Sequence, residues 1–555
     1  MNSEVNHWLW LRDWEDINPE ATPVSRRLRQ LSPPISSSCC LTTVDVLHSL
    51  LNMDVLGLVD VPVWLMLLIM LVLTLYVYAT WNHGLFTSLG IPGPKPLPFL
   101  GNARDINKKG FIDALTDWRK QFGHVYGTFF VLKPMVVVSD LDILKEILVK
   151  DFNNFADRFI LANILPAIVT KGLFFTGGSA WKRLRRLMTP TFTAGKLKNM
   201  SHFMDRCANI LKDNLQDKTR RQEVIDIKDV FGAFTMDVVA GTAFGLETNS
   251  QTQPAEPFIQ SCKIMFYKMS GSGNRWLTIA AMFPFLSPLI MAMGKGVLSG
   301  KESDFLVHAV YRMVDERRQA IDDEKRTDFL QLLVNAKDNG LDVDEKRMSR
   351  EEVAGQGFII LIAGYETTAT TLQYLTYNLA MNQDVQQRVY EEMRDELGDE
   401  DPTYDNVGRL KYLDNVIHET LRVFPPVSFI TRQALKSRTI KGVTIPAGMG
   451  VAIPIYSIMH DPDYFDDPEK FWPERFSEAE SSKLPSILSE LAFGYGPRQC
   501  IGMRLALLEI KFAAVRMLRH FRFLPCEDTP DKIDFVTTGI TAPKKPLKLR
   551  TELRV

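Results

Sequence analysis

The sequence predicts a mainly α-helical protein with a minor β part, built as one large domain behind an N-terminal transmembrane helix. Three observations predict this. Residues 61–81 form an apolar run without charge, helical spacing of apolar residues dominates after residue 100, and no Pro/Gly/Ser-rich linker divides that part. The 555 residues are 46% hydrophobic and 24% charged, which is typical of a globular protein with a large core. The net charge of −1 excludes a strongly basic nucleic-acid binder.

The N-terminal region has three segments of different composition. Residues 1–52 have mixed charge and no clear period, so they are interpreted as a disordered lumenal tail or as an upstream start absent from the working protein. Residues 61–81 match the roughly 20 apolar residues that span a bilayer, and they are predicted to be a transmembrane anchor. Residues 91–101 contain four prolines and predict a stiff, extended hinge. Residues 102–555 are then one folded domain.

Charge and cysteine usage indicate the compartment. Lys95, Lys108 and Lys109 follow the apolar run, whereas Asp54 and Asp60 precede it. The positive-inside rule therefore places the large domain in the cytosol. The six cysteines have irregular spacing, which does not suggest a disulfide framework and fits a reducing compartment.

Beyond residue 100 most segments have helical periodicity, and strand-like runs are short. The strands are predicted within residues 125–139 and 439–453. Helices are predicted at residues 141–151, 180–190, 225–245, 303–323, 351–380, 384–397, 411–423 and 501–519.

Residues 493–502, FGYGPRQCIG, are the strongest functional signal, and we call them the cysteine loop. Cys500 lies between a glycine-rich turn and a predicted helix start, whose N–H groups are expected to lower the pKa of the thiol. A thiolate held there is typical of an axial haem ligand that favours O–O cleavage, the alternative being a buried structural cysteine. Arg498 is expected to pair with an acidic group of the same ligand. Three glycines are expected to allow tight turns near a flat ligand: Gly494, Gly496 and Gly502.

The helix predicted at 351–380 contains the sequence AGYETT. Ala363 and Gly364 would give a smooth surface for a flat cofactor. Glu366 and Thr367 are polar residues inside an apolar helix, and a threonine hydroxyl there can bond to the preceding turn. They are interpreted as a catalytic proton relay facing a bound ligand, with a solvated polar stripe as the alternative.

Two further motifs are weaker. Glu419 and Arg422 form an E-x-x-R pair on an apolar helix, and with Arg475 of PERF they predict a buried structural network rather than the more common surface pair. Trp181 and Arg185 share one face of a short basic helix, where they could contact haem propionates or simply face solvent.

Together and in this order, these motifs resemble the cytochrome P-450 family, from about Pro62 to Val555. The sequence around AGYETT and FGYGPRQCIGMR is similar to that of the clan containing the family-three drug and steroid oxidases and thromboxane synthase. The resemblance implies a cytochrome P-450 fold, with residues 102–555 as the haem-thiolate catalytic domain and haem b bound through Cys500 as axial iron ligand. By matching position, the residues that contact haem would be Arg158, Trp181, Arg185, Arg432, Phe493 and Arg498.

The resemblance also implies a function. A monooxygenase would use O₂ and NADPH-derived electrons to oxidise lipophilic substrates that are xenobiotic, steroid or fatty-acid-like. The alternative is a haem-thiolate isomerase that rearranges a lipid peroxide without O₂ or a reductase. The Glu366–Thr367 pair favours the monooxygenase, because thromboxane synthase departs from the family pattern at the threonine position.

Partners and location follow from the same resemblance. NADPH–cytochrome P-450 reductase would dock near Lys182, Arg183, Arg186 and Lys511, and cytochrome b5 is a second candidate partner. The protein would be a single-pass protein of the endoplasmic reticulum (microsomal) membrane with its catalytic domain in the cytosol. Residues 276–293, which are apolar but interrupted by prolines, are interpreted as a shallow second membrane contact or as a core segment.

Overall fold

The computed structural model describes residues 52–55, 59–253, 256–270, 275–319, 328–336, 347–536 and 541–554. The interpretation of the N-terminal extension concerns residues 1–51 almost entirely, and these lie outside the described part. The chain divides into two compact units, Met1–Tyr78 and Ala79–Val555.

The first unit contains a hairpin followed by an apolar helix. Strands Asn52–Val55 and Val59–Pro62 pair antiparallel. The helix Val63–Thr80 begins directly after them. Among the described residues it is the one helix that is long and apolar enough to cross a membrane.

The second unit is mainly helical, which confirms the predicted fold class. The predicted helices are present, with ends shifted by a few residues, and residues 320–323 of the predicted helix 303–323 lie outside the described part. Its longer helices are Phe111–Phe122, Gly178–Met188, Ala194–Arg220, Ile227–Phe244, Pro257–Ser270, Arg275–Met282, Lys301–Gln319, Arg350–Met381, Gln383–Leu397, Lys411–Val423 and Met503–His520. The shorter ones are Leu85–Ser88, Ala103–Lys109, Leu141–Lys145 with the π-helix Glu146–Lys150, Ala167–Thr170, Ser287–Ala292, Phe329–Asn335, Ile455–Met459, Glu478–Ser481 and Ser486–Glu490.

The β part consists of small sheets at the edge of the helices. The largest joins the hairpin Val125–Phe130 and Lys133–Val138 to Gly450–Ile453 and then Ile430–Gln433. Only the pairing of Lys133–Val138 with Gly450–Ile453 is parallel. The remaining strands are Ile225–Asp226, Phe521–Pro525 and Lys548–Leu553 in one sheet, and Arg438–Ile440 with Val443–Ile445 in another.

The helix Arg350–Met381, which we call the central helix, organises the core. Its N-cap is Ser349, whose hydroxyl forms a reciprocal capping box with the side chain of Glu352. Its N-terminal half packs with Trp181 and the helix Lys301–Gln319. Its C-terminal half belongs to a second hydrophobic cluster that includes the helix Met503–His520. One helix therefore connects both cores, which fixes the residues near its middle.

The proline-rich segment is bound to the sheet rather than free to pivot. The N–H of Gly127 donates to the carbonyl of Pro92 at 2.8 Å. A Cβ at Gly93 would lie 2.0 Å from the Gly127 carbonyl oxygen, and a Cβ at Gly127 would lie 2.2 Å from the ring of Phe86. Because such distances are far below contact, both positions require glycine.

Candidate active site

The cysteine loop is a tight turn closed by backbone hydrogen bonds. The N–H of Cys500 donates to the carbonyl of Phe493 at 2.8 Å. Gly494 and Gly496 have φ of 81° and 77°, and a Cβ at Gly496 would lie 2.2 Å from the Leu148 carbonyl oxygen. These two glycines therefore have the role expected of them. Gly502 also lies in a turn and caps the next helix, but its φ of −90° is one that other residues adopt readily.

Cys500 lies open on one side and enclosed by protein on the others. Burial raises the pKa of its thiol, while the N–H groups of Gly502 and Met503 and the charge of Arg185 act in the opposite direction. The helix-start effect predicted from the sequence is present, but burial outweighs it. The predicted net lowering of the pKa is therefore wrong for the protein alone.

Two arginines are placed side by side by a strand contact. Asp157 forms an isolated bridge with Gln433, which sets Arg158 beside Arg432. Burial lowers the pKa of Arg158 well below its usual value, and the charges of Arg432 and Arg498 lower it further. The pKa of Arg432 falls to about 9, from burial first and from Arg498 second.

The hydrogen bonds of this arginine pair are incomplete. Arg158 stacks on the ring of Phe174 at 3.8 Å, and Arg432 donates from Nη1 to the carbonyl of Thr431 at 2.8 Å. The Nε atoms of both arginines are buried without a hydrogen-bond partner. In the described part of the chain, no carboxylate forms an ion pair with either of them.

Arg498 and Arg185 hold the loop to its surroundings. Arg498 donates to the carbonyls of Ala156 and Thr176 at 2.8 and 2.7 Å and stacks on Trp181 at 4.4 Å. Arg185 donates to the carbonyl of Gln499 at 3.0 Å. Burial lowers the pKa of Arg498 to about 10. Arg498, which is expected to pair with an acidic ligand group, thus also ties the loop to Ala156 and Thr176.

The donor set fits haem. Cys500 presents a sulfur that can ligate iron. Arg158 and Arg432 lie beside Arg498, and Asp157 is the carboxylate near this group of three positive charges. A ligand with two carboxylates would reduce the repulsion among the arginines and accept the hydrogen bonds that their Nε atoms lack. All six haem-contacting positions from the resemblance lie in or against the cysteine loop or in this arginine cluster.

The central helix differs in part from expectation. Ala363 is exposed, as a surface for a cofactor would need. A Cβ at Gly364, however, would lie 2.8 Å from Val239, so this glycine serves helix packing and not a cofactor surface. The Thr367 hydroxyl donates to the Ala363 carbonyl at 2.5 Å, which is the expected bond to the preceding turn.

Glu366 is buried and paired with a residue that the sequence analysis missed. Its Oε1 accepts from Nζ of Lys228 at 2.8 Å, and the same Nζ donates to the hydroxyl of Thr370 at 2.9 Å. Glu366 is therefore no solvated stripe residue. Lys228 could have been noticed as the one basic residue of the helix Ile227–Phe244, but its partner is 138 residues away in the sequence.

The structure also brings Glu419, Arg422 and Arg475 together. The Glu419 carboxylate accepts from Nε of Arg422 at 2.7 Å and lies 3.5 Å from Nε of Arg475. Arg422 also donates to the carbonyl of Met459, and the Trp472 N–H donates to Glu419. The Glu419 and Arg422 side chains are fully buried.

Not all of the basic residues expected to bind a reductase are exposed. Lys511 is buried and pairs with Asp414 at 2.6 Å, so it does not belong to a docking surface. Arg183 is half-buried and pairs with Glu352. Lys182 and Arg186 remain exposed.

Comparison with known proteins identifies similar chains. The family model for Cytochrome P450 matches residues 91–551. Cytochrome P450 3A5 of Homo sapiens is 39% identical over 505 residues, which cover 90% of this chain and 99% of that protein. Cytochrome P450 3A29 of Sus scrofa is 37% identical, with 90% and 98% covered, and Cytochrome P450 3A13 of Mus musculus is 35% identical, with 90% and 99% covered.

Proposed function

Because the chain belongs to the cytochrome P450 family and is therefore an oxidoreductase of the monooxygenase class, we propose that it oxidises lipophilic substrates with electrons passed from NADPH by NADPH–cytochrome P-450 reductase. The observation that carries the proposal is the cysteine loop, which presents Cys500 beside a surplus of buried arginine charge. Haem, when bound, supplies the redox chemistry by which one atom of O₂ enters the substrate and the other leaves as water.

The residues of this chain have distinct roles in the proposal. Cys500 would hold the haem iron through its sulfur. Arg158 and Arg432 would bind the propionates, because among the described residues no carboxylate pairs with either guanidinium group, and charge-assisted hydrogen bonds are strong. Trp181 and Arg185 secure the loop and the cofactor edge together with Arg498, and Phe493 lies at the start of the loop.

Glu366 and Thr367 carry the proton chemistry. Thr367 lies one helical turn after the exposed Ala363 and donates its hydroxyl hydrogen to the Ala363 carbonyl, so its oxygen can accept a hydrogen bond on the cofactor side. Glu366 is a buried carboxylate with access to protons through a partly exposed neighbour, Lys228. This pair supports a monooxygenase over the isomerase, since rearrangement of a peroxide needs no proton delivery.

The substrate class proposed is a lipophilic xenobiotic, steroid or fatty-acid-like compound. The candidate pocket-wall segments are 160–168 and 427–431, which are mostly apolar, together with Ile359 and Ile362 of the central helix. Phe358, another candidate, is fully buried in the core and does not belong to a pocket wall. Gly539 and its neighbour Ile540 lie outside the described residues.

The redox partner would dock on the exposed basic residues Lys182 and Arg186, which lie on the helix Gly178–Met188 that also carries Trp181. Cytochrome b5 is a second candidate for the same surface. Attraction between exposed charges weakens with salt. Reduction rates should therefore fall as ionic strength rises.

The proposed location is the endoplasmic reticulum membrane. The helix Val63–Thr80 would be the single transmembrane anchor, with the catalytic domain in the cytosol. Residues 276–293 support a second, shallow contact, because Ile290 and Ala280 pack against residues 162–164 while Phe285 is 74% exposed and Leu289 56% exposed.

Replacing Cys500 by serine tests the proposal. The purified C500S variant should lose the thiolate-type absorption band of the reduced carbon monoxide complex that the wild-type protein shows. Cys526→Ser, which changes a cysteine outside the site, is the matched control and should keep the band. A normal band in C500S would contradict the haem site. Product formation by the wild type without NADPH or O₂ would contradict the monooxygenase.

A further inference from the structure

Lys133 is a half-buried lysine at the start of the strand Lys133–Val138. It lies on the same strand face as Met135, because side chains two residues apart point to the same side. A Cβ at Gly450 would lie 2.9 Å from both the Met135 side chain and the ring of Phe159, so Phe159 lies over this face. The Nζ of Lys133 is 5.6 Å from the centre of that ring. Lys133 therefore points towards the segment that follows Phe159.

The two candidate pocket-wall segments contact each other at this position. The Nζ of Lys133 donates to the carbonyl of Ile160, the first residue of one segment, at 3.3 Å. The carbonyl of Phe159 accepts from the hydroxyl of Thr431, the last residue of the other segment, at 3.2 Å. The ammonium group is thus held at the edge of the candidate pocket, where both walls begin or end.

The ammonium group of Lys133 has unused hydrogen-bonding capacity. It carries three N–H donors, and the Ile160 carbonyl is its one acceptor among the described residues. In that same part of the chain, no carboxylate forms an ion pair with it. Burial lowers the pKa of Lys133, and no neighbouring charge acts in the opposite direction. A carboxylate at this position would therefore stabilise the charged form.

The surroundings of Lys133 are aromatic. Phe130 lies opposite Lys133 in the hairpin, and its ring is 6.2 Å from that of Phe111. Phe111 in turn stacks on Phe429 with ring centres 4.3 Å apart. Phe130, Phe159 and Phe429 are only partly buried where they pack against this hydrophobic cluster. An ammonium group beside a partly exposed aromatic wall fits an amphipathic anion, whose apolar chain contacts the rings while its charge pairs with Lys133.

We propose that Lys133 binds the carboxylate of a fatty-acid-like substrate at the edge of the pocket. The carboxylate accepts charge-assisted hydrogen bonds from Nζ, and the acyl chain extends along the apolar wall segments. Lys133 is then a specificity-determining residue that favours acids over neutral esters of the same chain length. The inference rests on the proposed function, because it selects one of the substrate classes proposed there.

Equilibrium dialysis of the purified holoenzyme with dodecanoic acid and with methyl dodecanoate tests the inference, because it measures binding without turnover. Lys133→Met keeps a long apolar side chain and removes the charge. This variant should bind dodecanoate about tenfold more weakly, as expected for the loss of a hydrogen bond to a charged group, and should bind the ester as the wild type does. Lys133→Arg should retain most of the affinity for dodecanoate. Lys133→Glu should lose more of it than K133M, because a like charge repels the carboxylate.

Lys120→Met is the matched control. Lys120 is an exposed lysine on the helix Phe111–Phe122, so its loss should change neither affinity. Equal weakening of acid and ester in K133M would show that Lys133 only packs the wall, and would overturn the inference. Dodecanoate binding that is absent from the wild type, or unchanged in K133M and K133E, would overturn it as well.

Turnover gives the second measurement. K133M should raise the KM for dodecanoate with little change in kcat, because the contact is made in the bound substrate as well as in the transition state. The set of oxidised positions on the chain should also broaden, because the acid is no longer held at one end. A wild type that binds dodecanoate more tightly than the ester but does not oxidise it would reject the proposed function and leave the role of Lys133 in binding intact.

Discussion

At the scale of single residues, the most specific feature is that cationic and nucleophilic groups meet around the cysteine loop. The motif places Cys500 and Arg498 two residues apart in one short loop, whereas Arg158, Arg185 and Arg432 come from distant segments and were expected only from the family resemblance. It could not predict the direction of the thiol pKa, which depends on how much protein surrounds the sulfur. The motif also could not predict the partner of Glu366, because Lys228 lies 138 residues away in the sequence.

Thr367→Ala is the first prediction at this scale. The variant should bind haem normally but release more hydrogen peroxide per NADPH consumed, because proton delivery loses its hydroxyl. Thr371→Ala is the matched control, since Thr371 donates to the carbonyl of Thr367 at 2.9 Å in the same backbone-bonding manner. Equal peroxide release by both variants would show that Thr367 has only a structural role.

At the scale of helices and strands, periodicity predicted which segments are helical but not which segments pack against each other. The predicted helix 225–245 is confirmed, although its first two residues form a strand with Lys548–Leu553. The adjacent pair Ala363 and Gly364 illustrates the limit: the motif places both in the helix, but Val239 packs against Gly364 while Ala363 is exposed. Such assignments depend on tertiary contacts that a single sequence does not contain.

Glu419→Gln should destabilise the protein by about 3–5 kcal/mol, because it leaves the buried charges of Arg422 and Arg475 without their carboxylate. Thermal unfolding and the yield of haem-loaded protein measure the loss. Glu480→Gln removes a carboxylate from an exposed pair at the same i,i+3 spacing and should cost about 1 kcal/mol or less. Equal stability of the two variants would contradict the buried network.

Glu509 provides a pH test within the helix Met503–His520. It is 2% exposed, its Oε1 has no hydrogen-bond partner, and burial raises the pKa of its carboxyl well above the usual 4.5. The folded protein therefore holds a proton that the unfolded chain releases. Above the pKa that Glu509 has in the unfolded chain, the free energy of unfolding therefore falls by about 1.4 kcal/mol per pH unit. The fall ends where the pH reaches the pKa of Glu509 in the folded protein.

Glu509→Gln removes this pH dependence. The stability of the variant relative to wild type should increase between about pH 6 and about pH 8, as measured by thermal unfolding at each pH. Glu396→Gln, an exposed site on a neighbouring helix, should show a constant difference. A difference for Glu509→Gln that does not change with pH would mean that Glu509 is ionised in the folded protein.

At the scale of the whole molecule, the family and the helical fold predicted from the motifs are confirmed. Membrane attachment remains a prediction. Removal of residues 1–81 deletes the apolar helix but keeps Phe86, and the shortened protein should still bind lipid vesicles through residues 276–293, reversibly with detergent. Phe285→Ser with Leu289→Ser in the same protein should abolish this binding, because both side chains are exposed.

The orientation has a separate measurement in the full-length protein. Asn199 is exposed and begins an Asn-Met-Ser sequon. A cytosolic domain never meets the glycosylation machinery, so Asn199 should carry no glycan in protein isolated from microsomes. A glycan at Asn199 would reverse the assigned orientation.

The contact of Gly93 with Gly127 has a consequence for inherited variation. Every missense change at either glycine adds at least a Cβ, which would lie 2.0 or 2.2 Å from a neighbouring atom. Neither glycine contacts the cysteine loop, so the molecules that do fold would keep normal chemistry. A variant of this kind would lower the amount of folded enzyme in the cell. The rate at which the cell oxidises each substrate would then fall by the same proportion.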